Sequence, residues 1–211
     1  MAAQISFERP FKHVFQDPNW TKKILMGGLF LLIPLVGAFV YMGYQKRYYK
    51  MLMEDPNAQM PEIDFGNDLS AGLPIFGIYF CYYLAIMIIA VIPLVGQLVA
   101  SLGQIVFAGI IPLAVARYYK TEKFGSAFEF GALIDFIKAN FNNCALFTGI
   151  AVLAGIAAGL GTIACIVGVV FTMFWAGNVT TIALADVYRA ADEPAPATPA
   201  APPSNDAPPA P

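Results

Sequence analysis

The stretch Leu69–Ala116 reads LSAGLPIFGIYFCYYLAIMIIAVIPLVGQLVASLGQIVFAGIIPLAVA and contains no Asp, Glu, Lys, Arg or His. A helix needs ~20 apolar residues to cross the hydrocarbon core of a bilayer, so this run is long enough for two. Its middle carries Ile92-Pro93-Leu94-Val95-Gly96. Pro ends the incoming helix by removing a donor and clashing with the preceding turn, and Gly lets the backbone reverse. The run therefore predicts two transmembrane helices, Leu69–Ile92 and Val95–Tyr119, joined by a very tight turn. Asp68 precedes it and Arg117 follows it, which returns the chain to the side it left.

Two further runs lack charge. Ala139–Ala185 is again long enough for two spans, with glycines at 159, 161 and 168 around Cys165-Ile166-Val167-Gly168, a looser counterpart of the IPLVG turn. It predicts helices over 143–160 and 167–189. The turn, with Cys165, then lies at the far side and Cys144 near the starting side. Ile24–Gln45 fits one span by length, yet it carries Ile33-Pro34-Leu35-Val36-Gly37, the same five residues as the central turn. A single span would separate Arg9, Lys12, Lys22 and Lys23 from Lys46, Arg47 and Lys50, whereas a hairpin keeps them together, as the preference of basic residues for the cytoplasmic side favours. Each arm of that hairpin is short. Fourteen residues at ~1.5 Å give about 21 Å against a hydrocarbon core of ~30 Å, so the pair reads as re-entrant.

The fold class is thus all-α: an integral membrane helical bundle of three hairpins, four firm transmembrane helices plus a short re-entrant N-terminal pair, with amphipathic surface helices. Phe7, Phe11, Val14 and Phe15 share one face of a helix over 6–16, read either as lying on the membrane surface or as packed on the protein. Ser126-Ala127-Phe128-Glu129 has capping-box form and precedes a second amphipathic helix, with Phe130, Leu133, Ile134, Ile137 and Phe141 on one face. Residues 1–190 form the membrane domain. The Pro/Ala-rich segment 191–211 cannot bury enough apolar surface to fold and reads as a disordered tail.

Composition sets limits on chemistry. Hydrophobic residues make up 58% and charged residues 12%, and the mean hydropathy is +0.64. A net charge of −2 gives no basic excess for nucleic acid. Met1–Trp20 is polar and lacks the continuous apolar core of a cleavable signal. Cys81, Cys144 and Cys165 are far apart and His13 is the sole histidine, so no catalytic, metal or cofactor constellation is expected. Asp64, Asp68, Glu129 and Asp135 lie beside the spans and read as caps and solvated groups.

What remains is a small intramembrane polar set. Gln97, Ser101 and Gln104 fall on one helical face, and Asn178 and Thr181 on another. Amides in lipid need partners, so these read as helix-packing hydrogen bonds or as the lining for a neutral or lipid-like ligand. Ala151, Gly155 and Gly159 form a small-residue stripe that would let another helix approach closely, from within the chain or from a second copy.

Hairpin, turn and aromatic-basic end recur three times, as in Arg47-Tyr48-Tyr49-Lys50, Arg117-Tyr118-Tyr119-Lys120 and Val187-Tyr188-Arg189. Together with Phe15-Gln16-Asp17-Pro18-Asn19-Trp20, Met60-Pro61-Glu62-Ile63-Asp64-Phe65-Gly66 and Ala127-Phe128-Glu129-Phe130-Gly131, these segments make the chain resemble a family of prokaryotic multi-pass membrane proteins, domain of unknown function 4013. The likeness spans residues 7 to 190 and departs at Ile63, where the family usually has an aromatic residue. It implies topology and brings no activity or site residues. The expected function is a non-catalytic scaffold or subunit of a bacterial inner membrane, packing with lipids, a membrane-protein partner or its own copies, with both termini cytoplasmic. A transporter or channel-like protein for a neutral or amphiphilic molecule is the alternative.

Overall fold

The computed structural model describes residues 4–90, 95–164 and 166–192, without the side chains of 89–107 and 163–167. Among the described residues eight α-helices run in order: α1 Arg9–Gln16, α2 Trp20–Leu31, α3 Val36–Glu54, α4 Phe65–Ala90, α5 Val95–Thr121, α6 Phe130–Ala139, α7 Phe141–Leu160 and α8 Ile166–Asp192. Short 3-10 turns occupy Phe124–Phe128 and Gly161–Ala164, and there is no strand among the described residues. Among the described residues three helical segments are long and apolar enough to cross a membrane: Phe65–Ile88, Phe141–Leu160 and Gly168–Asp192. The protein is a helical membrane bundle. α5 is as long as α8, but much of it lies outside the described side chains, as do the central turn at 91–94 and Cys165.

The N-terminal run is broken into a hairpin, α2 and α3, and the sequence motif works differently from the expectation. Pro34 follows the end of α2, but the reversal falls on Leu35, at φ 61° and ψ −58°. The Val36 amide bonds back to the Pro34 carbonyl at 2.7 Å, so Leu35 is the centre of a three-residue turn of the rare, strained kind. Gly37 does not turn the chain. It sits against the other arm, where a Cβ would lie 2.0 Å from the Phe30 carbonyl oxygen.

α3 and α8 form the centre. Half of the α8 span is buried, against 22% of the α4 span. Tyr44 packs on Phe174 with ring centroids 5.0 Å apart, and Tyr188 meets Tyr49 and stacks on Phe136 at 4.5 Å. α1 lies against α8, with Val14 fully buried and Phe11 on Trp175, while Phe7 and Phe15 stay exposed. The surface helix thus packs on the protein while keeping part of its aromatic face open. Large apolar side chains such as Leu29, Phe80, Met87, Ile88, Ile156 and Leu160 point outward, the pattern expected where the solvent is lipid.

α3 and α4 cross at backbone contact. A Cβ on Gly43 would lie 1.8 Å from the Asp68 carbonyl oxygen, and a Cβ on Gly72 would lie 1.8 Å from that of Phe39. The two bare α-carbons make a reciprocal pair, each beneath a carbonyl of the other helix, the geometry of weak Cα–H···O contacts. One turn beyond Gly43, Arg47 grips the Asp68 carboxylate with two bonds, Nε to Oδ1 at 2.9 Å and Nη2 to Oδ2 at 2.7 Å. Asp68 also accepts the Asp64 amide at 2.9 Å.

This clamp is part of a charged end. Arg9 pairs with Asp186, Lys23 with Asp17, Lys46 and Lys50 with Glu122, Arg117 with Glu129 and Lys120 with Asp192. These pairs join the N-terminal segment, the C-terminal halves of α3, α5 and α8 and the loops beside them at one end of the bundle. Glu129 is therefore an ion-pair partner. The capping box is not formed: α6 begins at Phe130 without a side-chain cap, and Ser126 bonds to the Lys123 carbonyl at 2.7 Å.

Glu122 ends α5 in the left-handed region, at φ 56°, with its amide on the Tyr118 carbonyl at 2.8 Å. Hydrogen bonds from Lys46 and Lys50 hold its carboxyl below the ordinary glutamate value. A depressed folded-state pKa contributes stability above the unfolded value of about 4.3 that is lost as pH falls through the folded value. Thermal unfolding in detergent between pH 6 and pH 3 should therefore show a steeper loss in the native chain than in Glu122→Gln. At the clamp, Arg47→Ala strands the buried Asp68 carboxylate and should cost about 3–5 kcal/mol. Arg47→Lys, which cannot make both bonds, should recover only part of that. Equal melting of Arg47→Ala and the native chain would refute the clamp.

Candidate functional site

The cavity that most resembles a binding site lies among α3, α4, α5, α7 and α8, with a volume of about 310 Å³. Four of the five helices contribute residues at helical spacing. α3 gives Tyr41, Met42 and Gln45; α5 gives Pro112, Val115 and Tyr119; α7 gives Ala151, Gly155 and Ala158. α8 contributes a continuous stripe that includes Gly177, Thr180 and Thr181, and α4 contributes Tyr79. Among the described residues no Asp, Glu, Lys, Arg or His lines it.

Its polar groups cluster on the α3–α8 wall. The Thr181 hydroxyl donates to Gln45 Oε1. Gln45 is 7% exposed, and its Nε2 has no hydrogen-bond partner among the described residues. The Tyr41 hydroxyl and Gln45 Nε2 both stand over Gly177: a Cβ there would lie 1.6 Å from the first and 2.7 Å from the second. Glycine at 177 is what admits these two polar groups to the face of α8. Behind them, the Tyr44 hydroxyl donates to Asn178 Oδ1 at 2.9 Å, and Asn178 Nδ2 donates to the Phe174 carbonyl at 2.8 Å.

The residues singled out in the sequence divide accordingly. Thr181, Ala151 and Gly155 line the cavity. Asn178 is fully buried and satisfied, a bond between α3 and α8. Among the described residues nothing stands within 4 Å of a Cβ placed on Gly155 or Gly159. The close helix approach is made by Gly43 and Gly72, and the small-residue stripe of α7 faces open space, partly that of the cavity. The side chains of Gln97, Ser101 and Gln104 lie outside the described residues. Sequence reasoning missed Gln45, Tyr41 and Gly177. Gln45 carried a usable signal, as an amide that closes an uncharged run just before Lys46. Among the described residues no group of three or more His, Cys, Asp or Glu could hold a metal ion.

The model of a family described as protein of unknown function, DUF4013, matches residues 26–169. The chain belongs to this family. The matched region takes in α3 to α7, the first IPLVG turn and the Met60–Gly66 and Ala127–Gly131 segments; α1 and most of α8 lie beyond it. No curated protein and no solved structure matches the chain.

The Tyr44–Asn178 bond gives a direct test of the wall. Asn178→Ala leaves a buried phenol without its acceptor and should lower stability in detergent by about 1–2 kcal/mol. Tyr44→Phe in the same background should add little, because the bond is already gone. Additive losses in the double variant would show that the two side chains are not coupled.

Proposed function

We propose that this protein is a non-catalytic multi-pass membrane protein that packs with lipids or with other membrane subunits. One observation carries the reading: among the described residues its cavity has a mainly apolar wall and no Asp, Glu, Lys, Arg, His or Cys. The outward-facing apolar side chains of α2, α4 and α7 support it. The charged end, where the paired Lys, Arg, Asp and Glu gather, would lie in the cytoplasmic headgroup region of a bacterial inner membrane, with both termini on that side.

A second reading is a transporter for a neutral or amphiphilic molecule. It rests on the Gln45 amide nitrogen and the neighbouring Tyr41 and Thr181 hydroxyls. The two readings part in reconstitution. A scaffold purified in mild detergent retains a stoichiometric lipid or membrane protein, and in vesicles it leaves neutral solute flux at the background rate. Flux that rises with protein density would favour transport. Orientation is tested separately. A reporter active only outside the cell, fused before Met1, should stay silent; activity there would place the N-terminus outside and reverse the orientation.

A further inference from the structure

The cavity has a polar end and an apolar end. Its lining on α8 runs from Met173 to Leu184 along one face, three turns or roughly 16 Å of helix axis. Gln45, Thr180 and Thr181 lie toward the charged end of the bundle, and Lys46, the next residue of α3, reaches Glu122 at 2.6 Å. The far end is lined by Ala158 and Met173. A ligand matched to this slot carries a hydrogen-bond acceptor just inside the charged layer and an uncharged chain running toward the bilayer middle.

Two independent observations point to such a ligand. Gln45 is more than nine-tenths buried, with Oε1 engaged by Thr181; its Nε2 lies beside the Tyr41 hydroxyl and makes no well-formed hydrogen bond among the described residues. A buried amide donor is costly unless an acceptor meets it. The other wall is kept bare by Gly155, where a side chain would enter empty space. The acyl ester of a glycerolipid supplies both parts at the matching depth, a carbonyl near the headgroups and a chain along the membrane normal. A charged ligand would find no counter-ion among the described lining, and three turns of a protein helix about 10 Å across would fill more than the cavity's 310 Å³.

We propose that the cavity holds one acyl chain of a membrane glycerolipid. Its ester carbonyl accepts a hydrogen bond from Gln45 Nε2, and the chain lies over Ala151, Gly155 and Ala158. This rests on the reading of the protein as one that packs with lipids, and it names the lipid group and the residues that hold it.

The test compares diacyl phosphatidylcholine with its dialkyl ether analogue of equal chain length, which lacks the carbonyls. The full chain, delipidated in mild detergent, is given each lipid and retained lipid is counted by native mass spectrometry. The expected result is one diacyl lipid held, with the dialkyl lipid retained on the order of tenfold less, the factor that ~1.4 kcal/mol gives. Gln45→Leu should abolish the preference. Gly155→Leu should lose the retained lipid, while Gly149→Leu, also over open space but outside the lining, should keep it. Equal retention of both lipids by the native chain overturns the proposal even if a variant fails to fold. So does unchanged retention in Gly155→Leu, or disulfide cross-linking between copies through Ala151→Cys. A co-purifying membrane protein alongside equal retention would sink the lipid site alone and leave the wider function standing.

Discussion

The contact between α3 and α4 sets the geometry of the bundle. Gly43 and Gly72 let two backbones meet without side chains between them, and Arg47 fixes the register by holding Asp68 with two bonds. Neither half suffices alone. Van der Waals contact in lipid lacks a hydrophobic drive, because the surroundings are as apolar as the helix. A buried carboxylate on its own is a large cost. Placed one helical turn apart on α3, the bare α-carbon brings Asp68 close and the guanidinium compensates its charge. α3 can then turn its other face, with Tyr44, Gln45 and Tyr48, toward α8.

The charged end follows from the same physics. Each hairpin leaves and returns on one side, so the helix ends there must find partners among one another. Lys46 and Lys50 reach Glu122, which stands in the left-handed region and ends α5; Arg117 reaches Glu129 and Lys120 reaches Asp192. The chain accepts an unfavourable backbone angle at Glu122 and places there the carboxylate that meets two lysines. At the opposite end of the first hairpin, Leu35 takes a strained angle where a glycine would sit easily. Leu35 is 66% exposed, so the strain is borne at an open position where the side chain meets little of the protein.

Much of this was legible in the sequence. Uncharged runs bounded by charge named the helices, and the repeated IPLVG segment with the basic residues beside it resolved the first run into a hairpin. Both signals are one-dimensional: a charge cannot move into lipid and a proline cannot continue a helix. What was not legible depends on three-dimensional approach. Gly37 stands where a turn glycine is expected, yet the turn falls on Leu35 because Gly37 is needed against Phe30. The capping pattern at Ser126–Glu129 was overruled by Arg117, which claims the glutamate. Asn178 and Thr181 were visible as polar residues in an apolar helix, but their partners, Tyr44 and Gln45, lie 134 and 136 residues away in the chain.

Glycine shows most clearly why spacing alone could not separate packing from vacancy. Ala151, Gly155 and Gly159 have the spacing of a contact stripe, and Gly43 and Gly72, on different helices, have no mutual spacing to read. The contact is nonetheless at Gly43 and Gly72, while Gly155 and Gly159 face open space among the described residues. The difference arises from what lies opposite. Carbonyls of the partner helix stand over Gly43 and Gly72, and Arg47 and Asp68 hold them there. Across from α7, α8 presents Gly177 to the Tyr41 hydroxyl and the Gln45 amide, so the α3–α8 wall is drawn together by hydrogen bonds, while α7 packs on α8 through another face, with Thr172 donating to the Ala158 carbonyl, and leaves its Gly155 edge open. Small residues on both sides of a gap that polar groups hold on one wall do not close it. They make it wider, and the resulting slot has a hydrogen-bond donor on one wall and bare backbone on the other.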